Sequence, residues 1–177
     1  MNENPGIGEK AGNIIRSATA QAAGIGTETT STILKKLHVI NRAEIEAGSI
    51  ALQRGLSAAA RDFGQHLISD HERMDREITQ VARNFNVDLR DELSEESVRH
   101  LREKLEDVAS NLREADPKEF DRIFGDSMYK AHKEAIAMTQ NAEDDVSSDE
   151  VGQLLRSTVA ALQHHVQLAE RVQAQAQ

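Results

Sequence analysis

The sequence has 177 residues, which fits one domain with a substantial core, and its composition excludes several classes of protein. Aromatic residues make up only 3% and tryptophan is absent, so a core of Leu, Ile, Val, Ala and Met favours close-packed helices over a sheet. The lack of cysteine excludes disulfides, thiolate metal sites and cysteine nucleophiles. A net charge of -9 without a concentrated basic segment argues against nucleic acid, and the longest apolar runs are too short for a membrane span.

Residues 1–31 are rich in Gly, Ala, Ser, Thr and Asn and show no sustained periodicity, which predicts a flexible N-terminal tail. The stretch after Lys10 and Arg16 is too polar for the apolar region of a signal peptide. Because the chain also starts with Met1, the sequence favours a cytoplasmic protein. A periplasmic location is the alternative if the chain is a mature form.

Apolar residues that recur every third or fourth position predict four long helices and one shorter helix. Hydroxyl and acidic residues at the predicted starts are typical N-caps, and Asp116 to Glu119 reads as a cap, a first-turn proline and a capping box. The long helices are predicted at about 32–56, 59–85, 117–142 and 149–172, the shorter one begins near Ser94, and residues 173–177 form a C-terminal tail.

The segment 86–115, between the second and third long helices, is long enough to run back along a bundle. The third long helix is then parallel to the second, and two antiparallel pairs joined by one long crossover is the ferritin-like topology. We therefore predict an all-α domain over residues 32–172, a ferritin-like four-helix bundle whose crossover contains the shorter fifth helix. An up-and-down bundle with a lateral fifth helix is the alternative.

Four polar residues interrupt the apolar stripes, one in each long helix. His71 stands between Leu67 and Met74 where every other member of the stripe is apolar, and Glu44 and His165 occupy equivalent positions. His132 lies on the flank of its stripe. Counting residues from the helix ends places Glu44, His71 and His132 at similar depths, whereas His165 lies about five residues deeper than ideal.

One glutamate and three histidines in a layer suit a divalent transition metal such as zinc, iron, manganese or copper. Asp70 and Asp121 are candidates for carboxylates that hold the imidazole rings in place. A buried hydrogen-bonded network with a purely structural role explains the same four residues, and the sequence leaves both interpretations open.

The sequence gives little support to an enzyme. No Ser-His-Asp triad, phosphate-binding glycine loop or organic-cofactor fingerprint is visible. The paired Glu-x-x-His motifs of di-iron bundles are also absent, because Ile68, Tyr129 and Leu162 stand three residues before the three inward histidines. Dinuclear oxygen chemistry is therefore disfavoured.

The motifs Ala43 to Gly48, Asp70-His71, Phe120-Asp121 with His132, and Leu162 with His165 resemble the ferritin-like family catalogued as domain of unknown function 4142. The resemblance spans about residues 32–172 and implies a four-helix ferritin-like fold, a metal site at the Glu and His positions, and no established activity. This chain departs from the family pattern at Phe124, where relatives usually carry tyrosine.

These observations lead to two functional hypotheses. The first is a bundle that binds one divalent metal ion through Glu44, His71, His132 and His165 for sequestration, sensing or stress protection. The second is a non-enzymatic interaction module, with a protein partner or a second copy of the chain, whose inward Glu/His network is structural.

Overall fold

The computed structural model describes residues 29–176, with the side chains of residues 92–94 left aside, and this part of the chain is almost entirely helical. It contains five α-helices and one 3₁₀ helix, and no strand occurs between residues 29 and 176, which confirms the all-α prediction. The elements are α1 (Thr30–Arg54), α2 (Ala58–Asn84), the 3₁₀ helix (Leu89–Ser94), α3 (Glu96–Glu114), α4 (Phe120–Asp145) and α5 (Asp149–Gln175). Most of the predicted N-terminal tail lies outside the described residues. At the other end α5 continues to Gln175, into the segment predicted as a C-terminal tail.

Hydroxyl side chains cap three of the long helices, as their sequences predict. Thr29 Oγ1 accepts a hydrogen bond from the Thr32 amide at 3.2 Å, and Ser57 Oγ accepts one from the Ala60 amide at 3.0 Å. Ser148 does the same at the start of α5. Each bond satisfies one of the amides that a helix N-terminus leaves without an intrahelical partner.

The start of α4 differs from the predicted capping box. Asp116 accepts from the Lys118 amide at 2.9 Å, but residues 117–119 form a turn and the regular helix begins only at Phe120. The Glu119 carboxylate pairs with Arg122 at 2.8 Å instead of reaching back to the cap. Pro117 therefore begins a turn that precedes the helix, and it is not the first residue of the helix.

Contacts at both ends of α3 show how it lies along α1. Near the first turn of α1, Lys35 Nζ donates to Glu95 at 3.1 Å, just before α3 begins. At the last turn of α1, the Arg54 guanidinium donates to the Leu112 carbonyl at 2.9 Å and also to the Ala115 carbonyl. The short helix therefore runs beside α1 from its beginning to its end.

The chain then enters α4 beside the turn that joins α1 to α2. Both oxygens of the Asp121 carboxylate accept backbone amides of that turn, from Leu56 at 2.9 Å and from Ser57 at 2.7 Å. Helices α2 and α4 consequently start at the same end of the molecule. Helix α1 packs against α2, α4 packs against α5, and α2 packs against α5.

Two glycines bring α1 and α2 unusually close. A Cβ placed on Gly48 would lie 2.6 Å from the Gly64 carbonyl oxygen, and one placed on Gly64 would lie 2.8 Å from the Gly48 carbonyl oxygen. Both distances are shorter than real Cβ contacts, and the neighbouring atom is backbone. The two helices can therefore adopt this spacing only because neither position carries a side chain.

The apolar core is divided into two clusters, and each draws side chains from all four long helices. One cluster lies toward the α1–α2 turn and includes Phe63, Leu67, Phe120, Phe124 and Met128. The other lies toward the opposite end and includes Leu34, Leu37, Ile78, Val151 and Leu155. Along α2, α4 and α5, a buried histidine lies between the residues of the first cluster and those of the second.

Candidate metal centre

Three histidines from three different helices meet in the layer between the two apolar clusters. His71 of α2, His132 of α4 and His165 of α5 are 0%, 1% and 0% exposed. Their ring centroids are 5.1–6.0 Å apart, and one nitrogen from each ring lies within 4.8 Å of the others. Phe63 contacts two of the rings, with centroid distances of 6.0 Å to His132 and 5.9 Å to His165.

The orientation of the His71 ring is set by Asn41 of α1. His71 Nδ1 lies 2.8 Å from the Asn41 side-chain oxygen. An amide oxygen only accepts, so the proton of the neutral ring is on Nδ1 and Nε2 carries a lone pair. This Nε2 atom is buried and has no hydrogen-bond partner among the described residues.

The His132 ring is held by its own helix. Its Nδ1 lies 2.8 Å from the carbonyl oxygen of Met128, one turn earlier in α4. A carbonyl also only accepts, which again places the proton on Nδ1 and the lone pair on Nε2. The free nitrogen points away from the α4 backbone toward His165.

The His165 ring is held by Asp70 of α2. His165 Nε2 lies 3.0 Å from Asp70 Oδ2, and a carboxylate accepts the proton of that nitrogen. The opposite ring atom, Nδ1, lies 3.2 Å from His132 Nε2. If both rings are neutral, two lone pairs face each other across this distance, which is unfavourable unless a cation or a proton lies between them.

Burial disfavours a proton on His165 as the solution to that conflict. Burial, together with the nearby His132 and against the opposing effect of Asp70, lowers the pKa of His165 to about 4. Burial likewise holds the pKa of His71 well below its ordinary value, with the charges of His165 and His132 acting in the same direction. Both rings are therefore neutral at pH 7, with lone pairs available to a metal ion.

Glu44 supplies a buried carboxyl group in the same part of the core. Its side chain is 5% exposed and Oε2 has no hydrogen-bond partner among the residues described. Burial raises the pKa of Glu44, and the proximity of His132 acts in the opposite direction. A cation near the histidines would offset the cost of burying this negative charge.

The structure brings together three of the four predicted ligands as one group, His71, His132 and His165, and places Glu44 in the core close enough to His132 for their charges to interact. In the sequence analysis, the depth of His165 along the bundle agreed least well with the depths of the other three residues. His165 lies 16 residues after the start of α5 while His132 lies 13 before the end of α4, a mismatch of three residues or about 4.5 Å.

Asp70 and Asp121 were both predicted as carboxylates beside the metal, and the structure separates them. Asp70 holds His165, whereas Asp121 lies beside the α1–α2 turn. Its two oxygens are used by the amides of Leu56 and Ser57, and its position in α4 is eleven residues, or about 16 Å, from His132.

Asn41 is the residue that sequence reasoning missed. It lies 13 residues before the end of α1, and His71 lies 13 after the start of α2, so the two are level in the antiparallel pair. The sequence did contain a signal that Asn41 points inward, because it occupies the apolar stripe of α1 one turn before Glu44. Its own Nδ2 is buried without a hydrogen-bond partner in the described part of the chain.

The fold and the site define an all-α protein with a buried three-histidine centre. The model of the family described as Domain of unknown function (DUF4142) matches residues 16–172, and the chain belongs to that family. This confirms the family resemblance seen in the sequence. Comparisons with curated proteins and with solved structures found no match for the chain. No helix between residues 29 and 176 is long and apolar enough to cross a membrane.

Proposed function

We propose that this protein is a ferritin-like bundle that binds one divalent transition metal ion through His71, His132 and His165, with Glu44 as the fourth ligand. The observation that carries the proposal is that one nitrogen of each of the three rings lies within 4.8 Å of the others, while each ring is held by a hydrogen bond to Asn41, Met128 or Asp70. In metal sites, a histidine ligand usually donates its second N–H to a carbonyl or carboxylate in this way.

The spacing of the nitrogens supports the same conclusion. Two ligands at the usual Zn–N distance of ~2.0–2.1 Å from a tetrahedral ion are separated by about 3.3 Å. His132 Nε2 and His165 Nδ1 are 3.2 Å apart, so an ion can bind both without moving either ring far. The charge also fits, because a divalent cation would be balanced by the carboxylates of Glu44 and Asp70.

The ferritin-like topology is part of the proposal. It is supported by the position of α3 along α1 and by the entry of α4 beside the α1–α2 turn, which makes α2 and α4 parallel. The burial of all three rings supports sequestration, sensing or stress protection over turnover, because a catalytic metal keeps a coordination position open to substrate.

The metal content of the purified protein tests the proposal. After incubation with zinc, iron, copper or manganese and removal of unbound ions, elemental analysis is expected to find close to one ion per chain. The variant His71→Ala should lose it, whereas His100→Ala, at an exposed position on α3, should retain it. Protein that retains none of the four metals would refute the proposal.

The alternative is a non-enzymatic interaction module with a structural polar layer. It is supported by the hydrogen bonds that each ring already makes to Asn41, Met128 or Asp70. If this alternative holds, the stability of His71→Leu is equal to or above that of the wild type whether or not metal is added, because apolar packing replaces such networks at little cost. In the metal-binding protein, added metal stabilises the wild type but not His71→Leu.

A further inference from the structure

Besides the three buried histidines, a pair of histidines lies on the surface where α2 packs against α5. The rings of His66 and His164 are edge to face, with centroids 5.9 Å apart. This separation falls within the 5.1–6.0 Å range found among the three buried rings. The side chain of His66 is 41% exposed and His164 is also exposed, so small rotations can bring their nitrogens closer at little cost.

The His66 ring is oriented in the same manner as His132. Its Nδ1 lies 2.9 Å from the Asp62 carbonyl oxygen, one turn earlier in α2, so Nδ1 donates and Nε2 carries the lone pair. The Asp62 carboxylate is 3.8 Å from the same ring, which adds negative charge beside the pair. An imidazole nitrogen from each of two packed helices is a suitable pair of donors for zinc, copper or nickel, whose remaining coordination positions water can fill.

This surface pair lies next to the buried centre. His164 precedes His165 in the chain, and their ring centroids are 6.3 Å apart. His66 is one helical turn from Asp70, whose carboxylate holds His165. The Asp70 side chain is 28% exposed while His165 is fully buried, so Asp70 connects the surface to the interior.

We propose that His66 and His164 form a second, weaker site for a divalent transition metal ion, and that an ion bound there passes to the buried centre along Asp70. The passage rests on the proposed function of the buried centre, but the surface site does not. The enclosed centre needs a place where an ion can lose part of its hydration shell before it enters, and two imidazoles beside a carboxylate provide one.

Zinc binding by the full chain tests both parts. In calorimetric titration, the wild type is expected to show a tight event and a weaker event of one ion each. The double variant His66→Ala/His164→Ala should retain the tight event and lose the weaker one, and His100→Ala, which removes another exposed histidine, should show both. Circular dichroism establishes that the variants are folded, as expected for exposed positions.

The rate of loading tests the passage. When zinc is delivered from a fluorescent chelator in stopped flow, the double variant is expected to fill the tight site about tenfold more slowly than the wild type, since local capture of an ion raises its on-rate. Loss of the weaker event with an unchanged rate would overturn the passage. Titrations identical to the wild type would overturn the surface site.

The two proposals fail in different ways. If the wild type binds a single zinc ion and the double variant binds none, the surface site stands and the buried centre is refuted. If His71→Ala removes the tight event but leaves the weak one, both sites stand. A double variant that loses the tight event while His71→Ala retains it would overturn the assignment of the weaker ion to the surface.

Discussion

The carboxylate of Asp121 is expected to hold the start of α4 against the α1–α2 turn, and its removal should destabilise the fold without affecting metal binding. The side chain is 7% exposed and accepts two backbone amides, from Leu56 and Ser57. Hydrogen bonds to a charged group contribute roughly 1.5–3 kcal/mol each. Because Leu56 is exposed and water can reach its amide, we expect Asp121→Ala to cost about 2–3 kcal/mol in total.

That loss corresponds to a fall in melting temperature of about 4–12 °C for a chain of this size. Asp121→Asn should lose nearly as much, because its amide group presents a donor to one of the two backbone donors. The matched control is Asp126→Asn, between one and two turns further along α4, whose exposed carboxylate bonds the side chains of Gln173 and Arg122. It should change stability by less than about 0.5 kcal/mol.

Urea and thermal denaturation followed by circular dichroism measure these differences, and elemental analysis measures the metal bound. The folded Asp121→Ala protein should bind as much metal as the wild type, since Asp121 is about 16 Å from His132 along α4. A variant as stable as the wild type would refute the capping role. A folded variant that has lost its metal would restore Asp121 as a partner of the centre.

Two further predictions concern the helix contact and the histidine layer. Gly48→Ala should cost about 3 kcal/mol in urea denaturation, because the new methyl group would meet the Gly64 carbonyl, whereas Gly152→Ala meets only the flexible end of Arg156 and should be neutral or stabilising. In metal-free protein, the depressed pKa of His165 means that the unfolded chain binds more protons between pH 6.5 and about 4. Stability should therefore be complete above pH 6.5 and fall by on the order of 2–3 kcal/mol toward pH 4.

Each of these two predictions has an outcome that would contradict it. A Gly48→Ala protein as stable as Gly152→Ala would contradict the close approach of α1 and α2. For the pH dependence, the control is His165→Gln, which cannot titrate and should give a flatter profile of unfolding free energy against pH. Equal slopes in the two proteins would mean that His165 is not buried in its neutral form.

The helices could be predicted from the sequence because their signals are local. Apolar residues at helical spacing and hydroxyl caps such as Ser57 depend on neighbours within one or two turns. The start of α4 was misplaced because Asp116 makes its cap within a turn that the following residues do not continue as helix. Nothing in a local pattern separates those two outcomes.

In the candidate site, only the residues that helical phase identifies could be predicted from the sequence. Phase identified His71 and His165, since each replaces an apolar residue on a stripe, and it left His132 on a flank although the side chain is fully buried. The hydrogen-bond partner of His71 was harder to predict, because a choice between Asn41 and Glu44 requires that the helix ends be predicted to within one turn. The role of Asp121 involves backbone amides 64 and 65 residues away, which no spacing rule anticipates.

The division of the core into two apolar clusters has a consequence for how this sequence can change over time. Substitutions at separate sites without shared neighbours usually have additive effects on stability. Phe124 in one cluster and Leu155 in the other belong to different neighbourhoods, so each cluster can accumulate and compensate its own substitutions. The layer of buried histidines between the clusters cannot change in this way, because the imidazole rings of His71 and His165 are held by hydrogen bonds to other side chains of the same layer. It is the part of the molecule in which compensating changes would have to arise together.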